Sequence, residues 1–280
     1  MSEPDAEAAG AKPAPSNFVM RVLAALVLAP LTIAIVYFGG WLWALLVTLV
    51  SIGLFAEWLM VVGAGSTALT GAGTIVIAMM GLSVAFGALK TAITIGLVGG
   101  AIVTLMARGK FIWAATGFAY ASAALLASIL VRQDLVHGFA ALMLVLLVVW
   151  ATDIGGYFAG RSIGGPKLWP RVSPKKTWAG AFGGFAASLA VAAGFAAAGL
   201  GKAVPLLLVS AVLSVVSQAG DLFESAVKRR FGVKDSSHLI PGHGGLLDRL
   251  DGFVAAILVA WIIGFLRHGV HSAGSGLMVW

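Results

Sequence analysis

Long apolar runs, repeated almost from end to end, constrain this chain more than any other feature. The hydrocarbon core of a bilayer, roughly 30 Å thick, needs about 20 residues of helix to cross it, and runs of that size recur between Phe18 and Phe265. A soluble domain could not hide so much apolar surface. Of 280 residues, 60% are hydrophobic and 10% charged, whereas soluble domains average about 25% charged. The expected fold is therefore all-α, a polytopic membrane bundle. Breaks at charges, Gly and Pro place candidate helices at 18–38, 41–62, 72–89, 91–107, 111–131, 138–159, 177–199, 203–220 and 252–267, about nine in all. Pro30 inside the first is tolerable because neighbouring helices can satisfy the freed carbonyl.

Residues 1–17 are polar, carry Glu3, Asp5 and Glu7, and have a composition that cannot build a core, so a disordered tail is expected there. The apolar run after Arg21 is too long for a secretory signal core and reads as a retained anchor. Two further regions follow: N-terminal membrane helices over 18–137, and a catalytic membrane region over 138–280.

Loops that alternate sides turn the Lys/Arg distribution into a test of orientation. One side collects fourteen: Lys12, Arg21, Arg108, Lys110, five from Arg161 to Lys176 and five from Lys228 to Arg249. The other holds Lys90, Arg132, Lys202 and Arg267. This asymmetry predicts a cytoplasmic N-terminus, an outward C-terminus and a polar cavity facing the cytoplasm. There is no cysteine, so disulfides, thiolate metal sites and cysteine nucleophiles are excluded. Chemistry must rest on Asp, Glu, Lys, Arg, His or Ser.

The acids are not scattered. Apart from the tail, Asp134 in a short loop and Glu57 in a span, the carboxylates fall between Asp153 and Asp251. If helix continues past Gly220, Asp221, Glu224, Ser225 and Lys228 share one face, and Asp248 and Asp251 share another. A solvated loop laced with ion pairs would be the bland explanation. In a chain so sparing of charge, the clustering favours a site. Two converging carboxylate pairs suit a hard divalent cation, with Mg²⁺ the natural occupant and room for a second cation. In the run Pro241–Gly245, the glycines Gly244 and Gly245 allow backbone N–H groups to curl around a phosphate. His243 could bind phosphate or hydrogen-bond the loop.

The other long loop, from Arg161, places Ser173 as an N-cap and Pro174 as the first residue of the seventh helix. Lys175 and Lys176 would then sit in a first turn where the macrodipole disfavours cations. A bound anion would resolve that conflict; positive-inside topology accounts for the lysines equally well. Charges within a span, Asp153 and Glu57, mark function by default. For Glu57, pairing with a buried Arg, Trp58 or backbone donors is preferred. Asp153, followed by Gly155 and Gly156, is the better site candidate.

These segments together resemble the phosphatidate cytidylyltransferase (CDP-diacylglycerol synthase) family. The family signature is met at Ser225, Lys228, Arg229, Lys234, Asp235, Pro241, His243, Gly244, Gly245, Asp248, Arg249 and Asp251. Upstream, Phe55–Trp58, Thr152–Arg161 and Ser173–Gly180 also look like family segments. The first 140 residues otherwise match mainly in hydropathy. The resemblance implies that CTP and phosphatidic acid give CDP-diacylglycerol and pyrophosphate with a divalent metal at the membrane surface. Asp221, Asp248, Asp251, Lys228 and Arg229 are the expected catalytic groups. Ser173, Lys175, Lys176, Thr177, Asp153, Ser225, Lys234, Asp235, His243, Gly244, Gly245 and Arg249 are expected to bind substrate. Asp221 and Asp248, with Asp251 and Glu224 as further ligands, would hold Mg²⁺. The expected setting is a bacterial inner membrane, with CTP, phosphatidic acid and the bilayer as partners, no nucleic acid, and a homodimer left open. Two rivals remain: a CTP-dependent polyprenyl or phytyl lipid kinase, which would share the charged loops, and an ion-coupled transporter, which the absence of an internal repeat disfavours.

Overall fold

The computed structural model describes residues 17–237 and 244–280. The expected tail therefore lies almost wholly outside the described residues, as do Pro241 and His243. The chain runs α1 (Asn17–Phe38), α2 (Gly40–Val61), α3 (Thr67–Ala85), α4 (Leu89–Met106), α5 (Phe111–Gln133), α6 (Gly138–Ser162), β1 (Lys167–Trp169), β2 (Ser173–Thr177), α7 (Trp178–Ala197), α8 (Ala203–Arg230) and α9 (Leu247–His268). A 3₁₀ turn (Val270–Ser272) and the short α10 (Ala273–Met278) complete it. Among the described residues, α2 to α9 are each long and apolar enough to cross a membrane, and α1 contributes the shorter apolar stretch Leu26–Phe38. An all-α membrane bundle is what forms, with one small antiparallel hairpin added.

Boundaries follow local chemistry. The helix expected at 72–89 lies instead at Thr67–Ala85, because Ser66 caps it through a hydrogen bond from the Leu69 N–H (3.2 Å) and Gly87 breaks the chain at φ +76°. Between α1 and α2 the chain turns on Gly39 (φ +62°). There Arg132, from α5, donates to the Val36 and Tyr37 carbonyls at 2.6 and 2.9 Å, placing a cation where the α1 macrodipole is negative. A Cβ on Gly39 would strike that guanidinium.

The seventh helix shows the largest departure. Ser173 does not cap it and Pro174 does not begin it. Residues Ser173–Thr177 pair with Lys167–Trp169 as an antiparallel hairpin, Lys167 opposite Thr177 and Trp169 opposite Ser173. Thr177 is the cap, its Oγ1 accepting from the Gly180 N–H at 3.1 Å. Both Ser173 and Thr177 have cap chemistry, and pairing with β1 selects the later one. Lys175 and Lys176 thus lie on an extended strand, clear of the unfavourable first turn.

The core is centred on α2 and α5, where Leu54, Phe55, Trp58, Leu125 and Ile129 are buried. The α6–α7 pair packs differently, backbone on backbone. A Cβ on Gly155 would lie 2.8 Å from the Gly183 carbonyl oxygen, one on Gly180 the same distance from that of Gly156, and one on Gly184 only 2.4 Å from that of Thr152. Small residues allow such close approach in membrane bundles, where van der Waals contact replaces hydrophobic drive.

Candidate active site

Helix continues past Gly220 for almost three turns, to Arg230, so Asp221, Glu224, Ser225 and Lys228 do share one face. On the partner helix, α9 starts at Leu247 rather than at 252 and carries Asp248 and Asp251 in its first two turns. Glycine brings the two helices together. A Cβ on Gly220 would meet the Asp251 carbonyl oxygen at 2.7 Å, and one on Gly252 would meet Ser217 Oγ at 2.5 Å. Each glycine adjoins a site aspartate, Asp221 or Asp251, so the closest backbone contact falls where the carboxylates are.

Lysines brace this meeting point. Lys228 Nζ pairs with Glu224 Oε2 at 2.7 Å and with Asp248 Oδ1. Asp248 Oδ2 accepts from the backbone N–H of Ser236 (3.0 Å) and of Gly245 (2.9 Å), and touches the Ser236 hydroxyl at 3.0 Å. From the hairpin, Lys176 pairs with Asp221, whose other oxygen is 3.4 Å from the Ser225 hydroxyl. Glu224 is 1% exposed, and among the described residues its Oε1 has no hydrogen-bond partner. A buried carboxylate oxygen without a donor is costly unless a cation or water supplies the missing contact.

These groups open onto a cavity of about 740 Å³ between α6, the hairpin, α7, α8 and α9, lined by Asp153, Arg161, Lys175, Lys176, Thr177, Asp221, Lys228, Asp248, Arg249 and Asp251 together with Thr152, Tyr157, Gln218 and three glycines. Nine of the expected site residues are therefore brought to one place. Ser173, Glu224, Ser225, Arg229, Lys234, Asp235, Gly244 and Gly245 lie outside that lining. Glu224 stands directly behind it, joined through Lys228, while Arg229 donates to the Val233 carbonyl. Arg161, Tyr157 and Gln218 complete the wall without having been singled out. Arg161 and Tyr157 are linked by a 2.9 Å hydrogen bond and share the face of α6 that bears Asp153, a relation visible as i, i+4, i+8 spacing.

The N–H of Gly245, expected in a phosphate cradle, donates here to Asp248 Oδ2 at 2.9 Å. An added Cβ would fall 2.5 Å from Glu57 Oε2 and on top of Ser236 Oγ. The residue is small because protein oxygens crowd it. Among the described residues Glu57 has no Arg partner; its donors are the Leu246 and Leu247 N–H groups at the start of α9 and the Ser236 and Ser237 hydroxyls of the segment that follows α8.

Among the described residues, no three Asp, Glu or His side chains converge closely enough to hold a metal ion unaided. A metal bound here would take one or two carboxylates and complete its shell with substrate oxygens and water, which is the habit of Mg²⁺. The partnerless Glu224 oxygen, beside Asp221 and Asp248, fits such a cation. Chemically, a polyphosphate is the ligand that this mixture of lysines, arginines and carboxylates would hold best.

The profile of the cytidylyltransferase family matches residues 19–266. A protein of Brucella suis described as phosphatidate cytidylyltransferase is 42% identical over 269 residues, covering 92% of this chain and 98% of its own. Proteins of the same description from Bacillus subtilis and Haemophilus influenzae are 46% and 45% identical over 123 and 131 residues. Those shorter matches cover 42% and 45% of this chain, and 45% and 46% of the respective relatives.

Proposed function

The chain belongs to the cytidylyltransferase family, and on that premise we propose that it transfers the cytidylyl group of CTP to phosphatidic acid, giving CDP-diacylglycerol and pyrophosphate. One observation carries the reading: five basic side chains and four carboxylates meet in a single cavity at one end of a membrane bundle. A soluble nucleotide and a lipid can react only where water and bilayer adjoin.

In the reaction, an oxygen of the lipid phosphate forms a bond to the α-phosphorus of CTP. The bond from that phosphorus to the bridging oxygen breaks, and pyrophosphate leaves with the electron pair. A phosphate monoester is already ionised near neutral pH, so the protein needs no strong general base. It must position two anions and offset their repulsion. Lys176 and Lys228 neutralise Asp221 and Asp248 in the resting site; an incoming triphosphate competes for the same ammonium groups. Lys175, Arg249 and Arg161, all exposed at the cavity, are assigned to the phosphates. Mg²⁺, when bound, adds charge neutralisation on the triphosphate. Asp221 and Asp248 are its assigned ligands, Asp251 and Glu224 lie beside them, and a second cation has carboxylates to spare.

We place the cavity on the cytoplasmic side of a bacterial inner membrane. Support comes from the Lys/Arg asymmetry, since both charged loops that build the cavity lie on the Lys/Arg-rich side.

Purified protein given labelled CTP, Mg²⁺ and phosphatidic acid should place label in the lipid and release pyrophosphate in equal amounts. Release of CDP with phosphorylation of a lipid alcohol would instead identify a lipid kinase. Solute uptake into liposomes without CTP would identify a transporter.

A further inference from the structure

Glu57 lies on α2, far in sequence from the cavity, and is 1% exposed. A carboxylate so buried needs a full set of donors, and it has one. Oε1 accepts from the Ser237 hydroxyl (2.7 Å) and the Leu246 N–H (2.8 Å), while Oε2 accepts from the Ser236 hydroxyl (2.8 Å) and the Leu247 N–H (2.7 Å). The two N–H groups are the opening donors of α9, whose own N-cap residue, Leu246, offers no side-chain cap. A side chain from another helix therefore does the capping and sets a negative charge at the positive end of the α9 dipole.

The surroundings are shaped for this contact. One turn before Glu57, a Cβ on Gly53 would strike the Leu246 side chain at 2.8 Å, and Gly245 has no room for any side chain because Glu57 and Ser236 occupy the space. Ser236 is the link to the cavity. Its N–H donates to Asp248 Oδ2 at 3.0 Å, and its hydroxyl, 2.8 Å from Glu57 and 3.0 Å from Asp248, has one proton for two carboxylates. Asp248 already receives Lys228 and two backbone N–H groups, so the hydroxyl proton is best spent on Glu57.

We propose that Glu57 is a positioning residue: by capping α9 and holding Ser236, it fixes Asp248 at the angle the reaction needs, without touching substrate. This rests on the reading of Asp248 as part of the reacting site. Glu57→Gln keeps the shape but removes the charge and turns an NH₂ toward donors. In the purified full-length protein, three readouts test it. Hydrogen–deuterium exchange over residues 244–252, with no nucleotide or metal, should quicken there and not along the rest of α9. Turnover should fall about 10- to 100-fold, the usual loss when a partner behind a site ligand is removed. KM for CTP should stay within about twofold, since no substrate contact is lost, and thermal unfolding should remain cooperative.

If Glu57→Gln does not fold, Ser236→Ala, which leaves both α9 caps in place, should show the same split of turnover from KM to a smaller degree. Wild-type turnover in the variant that folds would overturn the proposal, as would an activity loss matched by loss of folded protein. Asp248→Asn separates the two levels. Should it be inactive while Glu57→Gln is normal, only the role of Glu57 falls. Should Asp248→Asn itself turn over normally, the site reading falls and takes this proposal with it.

Discussion

Asp134 and Asp248 lie at opposite ends of the bundle, and nearly the same kind of backbone cradle holds each. Asp134, 3% exposed, accepts from the N–H groups of Val136 and His137 at 3.0 Å each and from that of Ser275. In this way it stitches the α5–α6 turn to α10. Asp248 accepts from the N–H groups of Ser236 and Gly245, but its second oxygen faces Lys228 and a large polar cavity. The difference is what each carboxylate can exchange. Backbone donors around Asp134 have nowhere to go, so the group is structural. The ammonium beside Asp248 can be drawn to an incoming phosphate, so that group is available for work.

Substituting both residues should separate these roles. The largest effect is expected from Asp248→Asn: turnover with saturating CTP and Mg²⁺ should fall by more than about 100-fold, the upper end for a group one shell further out, in protein that still folds. Asp134→Asn should do the reverse. Turnover per folded molecule should be unchanged, while denaturant or thermal unfolding reports a loss of about 1–3 kcal/mol, the cost of donors left unmatched in a buried place. If Asp134→Asn instead abolished turnover in folded protein, the contrast between the two ends would break.

Next in size, Lys176→Ala removes the ammonium that pairs with Asp221. It should raise KM for CTP about tenfold and lower turnover less, as expected for a lost charge-assisted contact to substrate. A fall in turnover alone, at unchanged KM, would move Lys176 from binding to the reacting centre. The smallest effect is pH-linked. Burial tends to raise the Asp134 pKa, but hydrogen bonds from the His137 and Ser275 backbone, the Ser275 hydroxyl and the Val136 N–H prevail and hold it below the ordinary carboxylate range. A depressed value means that its stabilisation is complete above the unfolded-state pKa of about 3.9 and is lost as pH falls through the lower folded value. The stability gap between wild type and Asp134→Asn should therefore hold from neutral pH down to about 4 and shrink below it. A gap that narrows nearer neutrality would assign the linkage to another group.

Much of this was legible in the sequence because it depended on short-range pattern. Apolar runs located the spans, and the spacing of Asp221, Glu224 and Lys228 showed one helical face before any packing was known. What the sequence hid was long-range. Ser173 and Thr177 offer equal cap chemistry, and only the pairing of Lys167–Trp169 with the second strand decides between them. Nothing local to Glu57 says that its partners lie at Ser236 and Leu246, nor that Gly245 is a glycine on account of α2. Arg161 and Gln218 were readable as neighbours of Asp153 and Asp221 on their helices. Without the α6–α7–α8 contact, no pattern tells which face of those helices borders open space.

The joint between Gly220 and Gly252 bears on how the enzyme could be altered. Because α8 and α9 are drawn close at Gly220, against Ala255 and the Asp251 carbonyl, and at Gly252, against Ser217, the spacing of Asp221 and Asp251 is set by that contact more than by Tyr157 or Gln218. A library that varies Tyr157 and Gln218 could reshape what the cavity admits and leave the carboxylates in register. Adding a single methyl group at either glycine would wedge the helices apart, altering the separation of the acids while every wall residue stayed the same.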